Sequence, residues 1–166
     1  MSLLQVTHAM EQLVELHEQL INVGEEKKQA IMSNNISAIT QCVSKEMQLV
    51  KKVAVADEAR INGVYSFLQE KGIRSQLNLT ITEITRLIFD LEEKNQLVAL
   101  QTKLHDRLIQ LKELNAVNKD LIEQSLTFID YSMNLIVNQP EDHMIYHDPS
   151  KQKLDMPNRN YFDTRA

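Results

Sequence analysis

A run of potential metal ligands lies near the C-terminus, between two prolines. It holds two histidines, His143 and His147, with Asp142 and Asp148 at its ends. If residues 142–148 formed a helix, both imidazoles would share a face, and a zinc site could use the pair. The flanking prolines disfavour a helix, and no third ligand is apparent nearby. The sequence therefore favours an unstructured polar segment over a metal site.

Two further histidines could carry a different chemistry, phosphotransfer on a helical bundle. His17 and His105 both lie within stretches of helical pattern. A surface or half-buried structural histidine is far more common in such positions, so phosphotransfer is the less favoured hypothesis. The three glycines lie far apart and form no phosphate-binding loop. No nucleophile motif is visible, and we expect a protein that is not an enzyme and has no cofactor.

Charge and cysteine usage exclude further classes of function. The formal net charge is −5, whereas a nucleic-acid surface needs clustered Lys and Arg. Cys42 is the single cysteine, so one chain can form neither a disulfide nor a thiolate metal site. The N-terminus lacks the layout of a signal peptide, and no apolar run approaches the roughly 18 residues that span a bilayer. We expect a cytoplasmic protein that does not insert into a membrane.

The positions of proline and glycine predict an all-α fold. All three prolines lie beyond residue 139, which leaves the preceding chain free to form long helices. Hydrophobic periodicity predicts helices over about 3–32, 35–71, 81–89 and 91–137. We expect an elongated antiparallel helical bundle or coiled-coil hairpin over residues 1–137, in which the first two helices pack against part of a long C-terminal helix.

Short polar motifs predict where these helices begin and end. Thr80 and Glu83 fit a capping box, and Asp90 begins a second pattern of the same kind. Gly72 suits a left-handed helix C-cap. Gly24 falls inside the first helix, where it marks either close packing or a tolerated glycine.

The second predicted helix carries an apolar stripe. Its members share helical spacing and are Ile36, Ile39, Val43, Met47, Val50, Ala54, Ile61, Val64 and Leu68. A stripe of this kind lets the hairpin close within one chain, and it equally permits a homo-oligomer. The sequence leaves these two arrangements open.

The C-terminal half of the last helix carries an apolar ridge. Its members recur every seven residues along two adjacent lines: Leu114, Leu121, Phe128 and Leu135, with Ile122, Ile129 and Ile136. In the same heptads, Asn118, Ser125 and Ser132 stand where a self-sufficient coiled coil prefers aliphatic residues. Periodicity alone favours core packing with a few tolerated polar positions. The alternative is a ridge left partly open for a partner helix.

Residues 138–166 differ from the rest of the chain. They are polar, hold every proline and show no periodicity, which predicts a flexible tail. Two adjacent aromatics, Tyr161 and Phe162, stand near its end. A plain frayed terminus is the favoured interpretation, and a short segment that docks in a pocket of another protein is the alternative.

Scattered residues along most of the chain carry a family resemblance. They are Leu-His-Glu-Gln-Leu at 16–20, Glu-Lys at 26–27, Glu46, Glu58, Arg60, Leu-Asn-Ala-Val-Asn-Lys-Asp-Leu-Ile at 114–122, Ser-Leu at 125–126, Phe-Ile at 128–129 and Tyr-Phe-Asp-Thr-Arg-Ala at 161–166. In these residues and in layout, the chain resembles the FlgN family of flagellar export chaperones. The final segment is similar to the end of Bacillus-type members.

The resemblance implies a type III export chaperone that keeps hook-filament junction proteins of the FlgK and FlgL type soluble and delivers them to the export apparatus. It also implies export gate or ATPase components as further partners. In the family, the C-terminal amphipathic helix contacts the client. Carried onto this chain, the client-binding residues are Asn115, Asn118, Leu121, Ile122, Ser125, Phe128, Ile129 and Ser132. The main rival is a structural or adaptor coiled coil in which the ridge is a permanent dimer seam.

Overall fold

The computed structural model describes residues 2–73 and 79–137, which form four α-helices and contain no strand. The helices are α1 (Ser2–Met32), α2 (Ile36–Glu70), α3 (Ile81–Thr85) and α4 (Leu91–Val137). The predicted all-α class and the long C-terminal helix are confirmed. No helix in these two ranges is long and apolar enough to cross a membrane.

Helices α1 and α2 form an antiparallel hairpin around a tight polar turn. Asn34 adopts a left-handed backbone conformation with φ of 52°, which asparagine tolerates better than most residues. Asn35 then caps α2, because its side-chain oxygen accepts the Ala38 N–H at 3.1 Å. Further along the hairpin, Lys27 Nζ donates to Glu46 at 2.7 Å.

The buried face of α2 is only partly the predicted stripe. The residues that face the core recur every seven positions as Cys42, Leu49, Ala56 and Gly63. At Gly63 an added Cβ would lie 3.0 Å from a Val6 side-chain carbon, so the two backbones approach closely there. Ile36 and Val43 of the predicted stripe are exposed. The stripe was wrong there because α1 covers only one face of α2, and no other described helix covers the neighbouring face.

The connection from α2 to α4 confirms the predicted caps. Gly72 has φ of 72° after the end of α2, and both hydrogen bonds of the Thr80–Glu83 capping box are present. Helix α3 ends at Thr85, short of the predicted residue 89, because the chain tightens into i to i−3 hydrogen bonds at Leu87. Asp90 Oδ1 then accepts the Glu93 N–H at 2.9 Å and begins α4.

Helix α4 runs in the same direction as α1 and antiparallel to α2. Near its start, Leu97 is buried in a cluster that contains Leu3 and Val6. Near its middle, Asn118 contacts Gly24. Sequence numbers therefore rise together along the two helices. Helix α1 packs along both α2 and α4, whereas the backbones of α2 and α4 stay apart.

Candidate partner-binding surface

Helices α1 and α4 pack closely at one joint, formed by Gly24 of α1 with Leu114 and Asn118 of α4. Asn118 is also the last buried residue of α4. An added Cβ at Gly24 would lie 2.7 Å from Leu114 Cδ2, so glycine lets the two helices approach there. Asn118 Nδ2 donates to the Gly24 carbonyl at 2.9 Å. Asn118 is only 2% exposed. Of the two interpretations of Gly24, the structure supports close packing.

Beyond this joint, α4 extends further than α1. Helix α1 ends eight residues after Gly24, whereas α4 continues for nineteen residues after Asn118. Because the helices run in parallel, the last eleven residues of α4 project about 16 Å past the end of α1. We call residues 127–137 the overhang.

The overhang carries large apolar side chains without a covering element in the described structure. These exposed residues are Phe128, Ile129, Tyr131, Met133, Leu135, Ile136 and Val137. Phe128 is 70% exposed. An exposed apolar surface of this kind, on a helix that is otherwise packed, is typical of an interaction site.

The ridge predicted from the sequence therefore has two parts. Along the line of residues at seven-residue spacing, Leu114 is buried, Leu121 is half-buried, and Phe128 and Leu135 are exposed. The line that packs on α1 thus continues past the end of α1. Core packing describes its first part, and an open ridge describes its second part.

The predicted client-binding residues fall into three groups. Asn115, Ile122, Phe128 and Ile129 are exposed. Leu121, Ser125 and Ser132 are half-buried, and the two serine hydroxyls donate to carbonyls of their own helix, at 2.9 Å and 2.8 Å. Asn118 is buried in the joint with α1, so its side chain is engaged within the chain. Tyr161 and Phe162, and the histidine run at 142–148, lie outside the described residues.

A second surface, which the sequence did not reveal, is the cleft between α2 and α4. Helix α1 forms its floor. Two hollows of about 510 Å³ and 520 Å³ lie in succession along it. The first is lined by Leu20, Lys27, Glu46, Val50, Leu111, Asn115, Asn118, Lys119, Ile122 and Glu123. The second is lined by Met10, Asp57, Arg60, Ile81, Gln101, Thr102, Leu104, His105 and Leu108. The apolar stripe of α2 is the sequence signal that could have revealed it, because part of that stripe is exposed in the structure.

One ion-pair cluster joins α4 to α1 on the amino-terminal side of the joint. Glu18 accepts from Arg107 Nε at 3.2 Å and lies 3.3 Å from Lys103 Nζ. Hydrogen bonds from Lys103 and then from Arg107 lower the pKa of the Glu18 carboxyl. The contacts join two helices, so they contribute to the register of α4 as well as to its charge balance.

The two helical histidines differ in their surroundings. His17 is buried, and its Nδ1 donates to the Leu13 carbonyl at 2.6 Å. A ring in that position is poorly placed to meet a phosphodonor. His105 is exposed at the second hollow of the cleft. Within residues 2–73 and 79–137, no group of three or more His, Cys, Asp or Glu side chains is arranged to hold a metal ion.

Comparison with known proteins places this geometry in a family. The family model described as "FlgN protein" matches residues 1–153. Over its full length, the chain is 25% identical to the Bacillus subtilis (strain 168) protein YvyG, which is described as uncharacterized, and the alignment of 167 residues also covers all of that protein. No solved structure matches the chain.

Proposed function

The chain belongs to the FlgN family, a family of flagellar export chaperones, and from this premise we propose that it binds hook-filament junction proteins of the FlgK and FlgL type. The binding element in this proposal is the overhang together with the exposed turns of α4 that precede it. The client is held in the cytoplasm and is then delivered to the export apparatus, whose gate or ATPase components are the second class of partner.

The observation that carries the proposal is the apolar overhang. A client whose terminal helices are amphipathic would aggregate or pair with itself if its apolar stripe stayed in water. A helix laid along the overhang would cover Phe128, Ile129 and Leu135. Burial of apolar surface contributes about 25 cal/mol per Å² before ordering costs are subtracted. Both helices lose exposed apolar area in the complex.

The polar residues of the ridge limit the strength of this contact. Ser125 and Ser132 donate their hydroxyl hydrogens within α4, so these hydrogens are not free to bond a client. Their small side chains let a partner helix approach without adding much apolar area. Export requires release of the client, and a contact surface interrupted by serine favours reversible binding over a permanent seam.

The predicted contact residues take different roles within this proposal. Ile122, Phe128 and Ile129 supply apolar contact area, and Asn115 offers an exposed amide. Leu121, Ser125 and Ser132 line the edge of the ridge. Asn118 acts from the joint with α1, where it holds α4 in place, and its side chain does not need to touch the client.

The test is a pair of identical substitutions at two exposed phenylalanines. Phe128→Asp places a carboxylate on the overhang, whereas Phe89→Asp changes a residue that is 93% exposed just before α4 begins. Both variants should keep the helical circular dichroism of the unchanged chain. We expect only Phe128→Asp to lose co-purification with a junction protein of the FlgK or FlgL type. Normal binding by Phe128→Asp, or its unfolding, would count against the proposal.

A dimeric adaptor is the second candidate, because the same exposed overhang could be buried by a second copy of the chain. That function predicts a dimer whose dissociation on dilution melts the end of α4. Sedimentation over a range of concentrations distinguishes the two candidates. The chaperone predicts that the chain without its client stays monomeric while its helix content stays constant.

A further inference from the structure

We propose that the cleft between α2 and α4 is the seat of an amphipathic helix of the client, which continues there from the overhang. This inference rests on the proposed function and extends it to a face of the protein that the predicted site did not include. In this arrangement the client helix takes the fourth position beside α1, α2 and α4.

The first observation is the continuity of the two surfaces. Asn115 and Ile122 line the cleft, and seven-residue spacing continues from them to Ile129 and Ile136 on the overhang. All four residues are exposed. A helix that covers the overhang along this line therefore reaches the cleft without changing its direction.

The second observation is the size of the cleft. Along α4 its lining extends from Gln101 to Glu123, which corresponds to about 33 Å of helix. The backbones of α2 and α4 stay apart over this length, while α1 closes the bottom. Two open hollows in succession, between two helices and over a third, lie where a fourth helix packs in a four-helix bundle.

The third observation is the charge of the cleft. Every Lys, Arg, Asp and Glu that lines the two hollows already has an opposite charge within 4 Å. These pairs are Lys27–Glu46 at 2.7 Å, Arg60–Asp57 at 2.7 Å and Lys119–Glu123 at 3.7 Å. The remaining lining is aliphatic or neutral apart from His105. The cleft therefore suits an aliphatic stripe with small or amide neighbours, and it disfavours a strongly charged peptide.

Helix α2 exposes apolar residues at the cleft, and burial of these residues would favour binding of a client helix there. Val50 lines the first hollow and is 56% exposed. Val43, seven residues earlier and therefore on the same face of α2, is also exposed. Neither residue contributes to the core, and a client helix laid along this face of α2 would remove both from water.

Two valines on α2 provide a matched test. Val50→Glu introduces a carboxylate in the cleft. Val55→Glu makes the same change at a residue that is 68% exposed and lines a groove on the other side of α2, beside Lys51 and Lys52. The probe is a fluorescently labelled peptide that spans the terminal helical segment of the FlgL-type junction protein from the same genome. It is titrated with the full-length chain.

We expect Val50→Glu to weaken binding of this peptide by at least about tenfold, because an unpaired carboxylate would be buried in an apolar contact. Val55→Glu should stay within about twofold of the unchanged chain. Equal affinities for the two glutamate variants, together with lost binding in Phe128→Asp, would overturn the cleft proposal alone. Normal binding by Phe128→Asp, or no binding by the unchanged chain, would overturn the proposed function as well.

Photo-crosslinking gives a readout that does not depend on a disruptive charge. A benzophenone amino acid replaces Val50 in one variant and Val55 in another. The peptide should crosslink at position 50 and not at position 55. Crosslinks at position 50 that join two copies of the chain, or that join it to its own residues 138–166, would identify a different occupant and overturn the proposal.

Discussion

Asn118→Leu should stabilise the protein, although it removes a buried hydrogen bond. Asparagine and leucine have the same branched arrangement of heavy atoms, so the substitution exchanges the two polar atoms of the amide for two methyl groups, which are larger. Asn118 Nδ2 donates to the Gly24 carbonyl at 2.9 Å. Its Oδ1 is fully buried and has no hydrogen-bond donor among the described residues.

The expected magnitude follows from these two atoms. Loss of the neutral hydrogen bond costs about 0.5–1.5 kcal/mol, and removal of a buried oxygen without a donor returns about 1–3 kcal/mol. A methyl carbon needs about 3.3 Å to the carbonyl oxygen, so the Gly24 joint must open by a few tenths of an ångström. We expect a net increase in the free energy of unfolding of about 1 kcal/mol.

The assay is urea unfolding of the full-length chain, followed by far-ultraviolet circular dichroism. Asn115→Leu is the matched control, because Asn115 lies on the same helix but is exposed, and its change should stay within about 0.5 kcal/mol. If Asn118→Leu unfolds at a lower urea concentration than this control, the amide oxygen has a partner or the amide sets the register of α4. Either result would refute the reasoning.

Two further predictions concern a helix cap and a salt bridge. Thr80→Ala removes the hydroxyl that accepts the Glu83 N–H, and it should lower the free energy of unfolding by about 1 kcal/mol in the same urea assay; no change would mean that α3 does not need its capping box. Because Lys103 and Arg107 lower the pKa of Glu18, the ionised carboxylate stabilises the fold above its ordinary pKa, and this stability is lost as the pH falls through the lowered value. Glu18→Gln should therefore flatten the acid limb of stability against pH, and an unchanged acid limb would contradict this assignment.

Much of the fold could be predicted because its signals are local. The turn at residues 33–35, the capping box at Thr80 and the C-cap at Gly72 each depend on side chains and backbone preferences within a few positions. The direction of α4 is not local information. It is seen in contacts between residues distant in sequence, such as Asn118 with Gly24, and periodicity is the same for a parallel and an antiparallel neighbour.

The candidate site was predictable in part for the same reason. Seven-residue spacing identified the line from Leu114 to Leu135, but spacing cannot tell where a partner helix ends. Because α1 ends there, the residues on this line change from buried to exposed between Leu121 and Phe128. Asn118 illustrates the limit most directly, since an amide in a heptad looks the same in a sequence whether it faces a client or the Gly24 carbonyl.

The position of the Gly24 joint separates the stability of the fold from the strength of binding. The buried residues of α4 lie at or before Asn118. The large apolar residues of the overhang are exposed, so substitutions of these residues remove no buried contact from the core. An isolated helix as short as the overhang would be marginal in water, because nucleation is unfavourable. Here the packed turns of α4 already form a helix, so the overhang only extends that helix and does not have to nucleate one. A client that binds the overhang must still suppress fraying at its free end, and this ordering cost lowers the affinity and favours release.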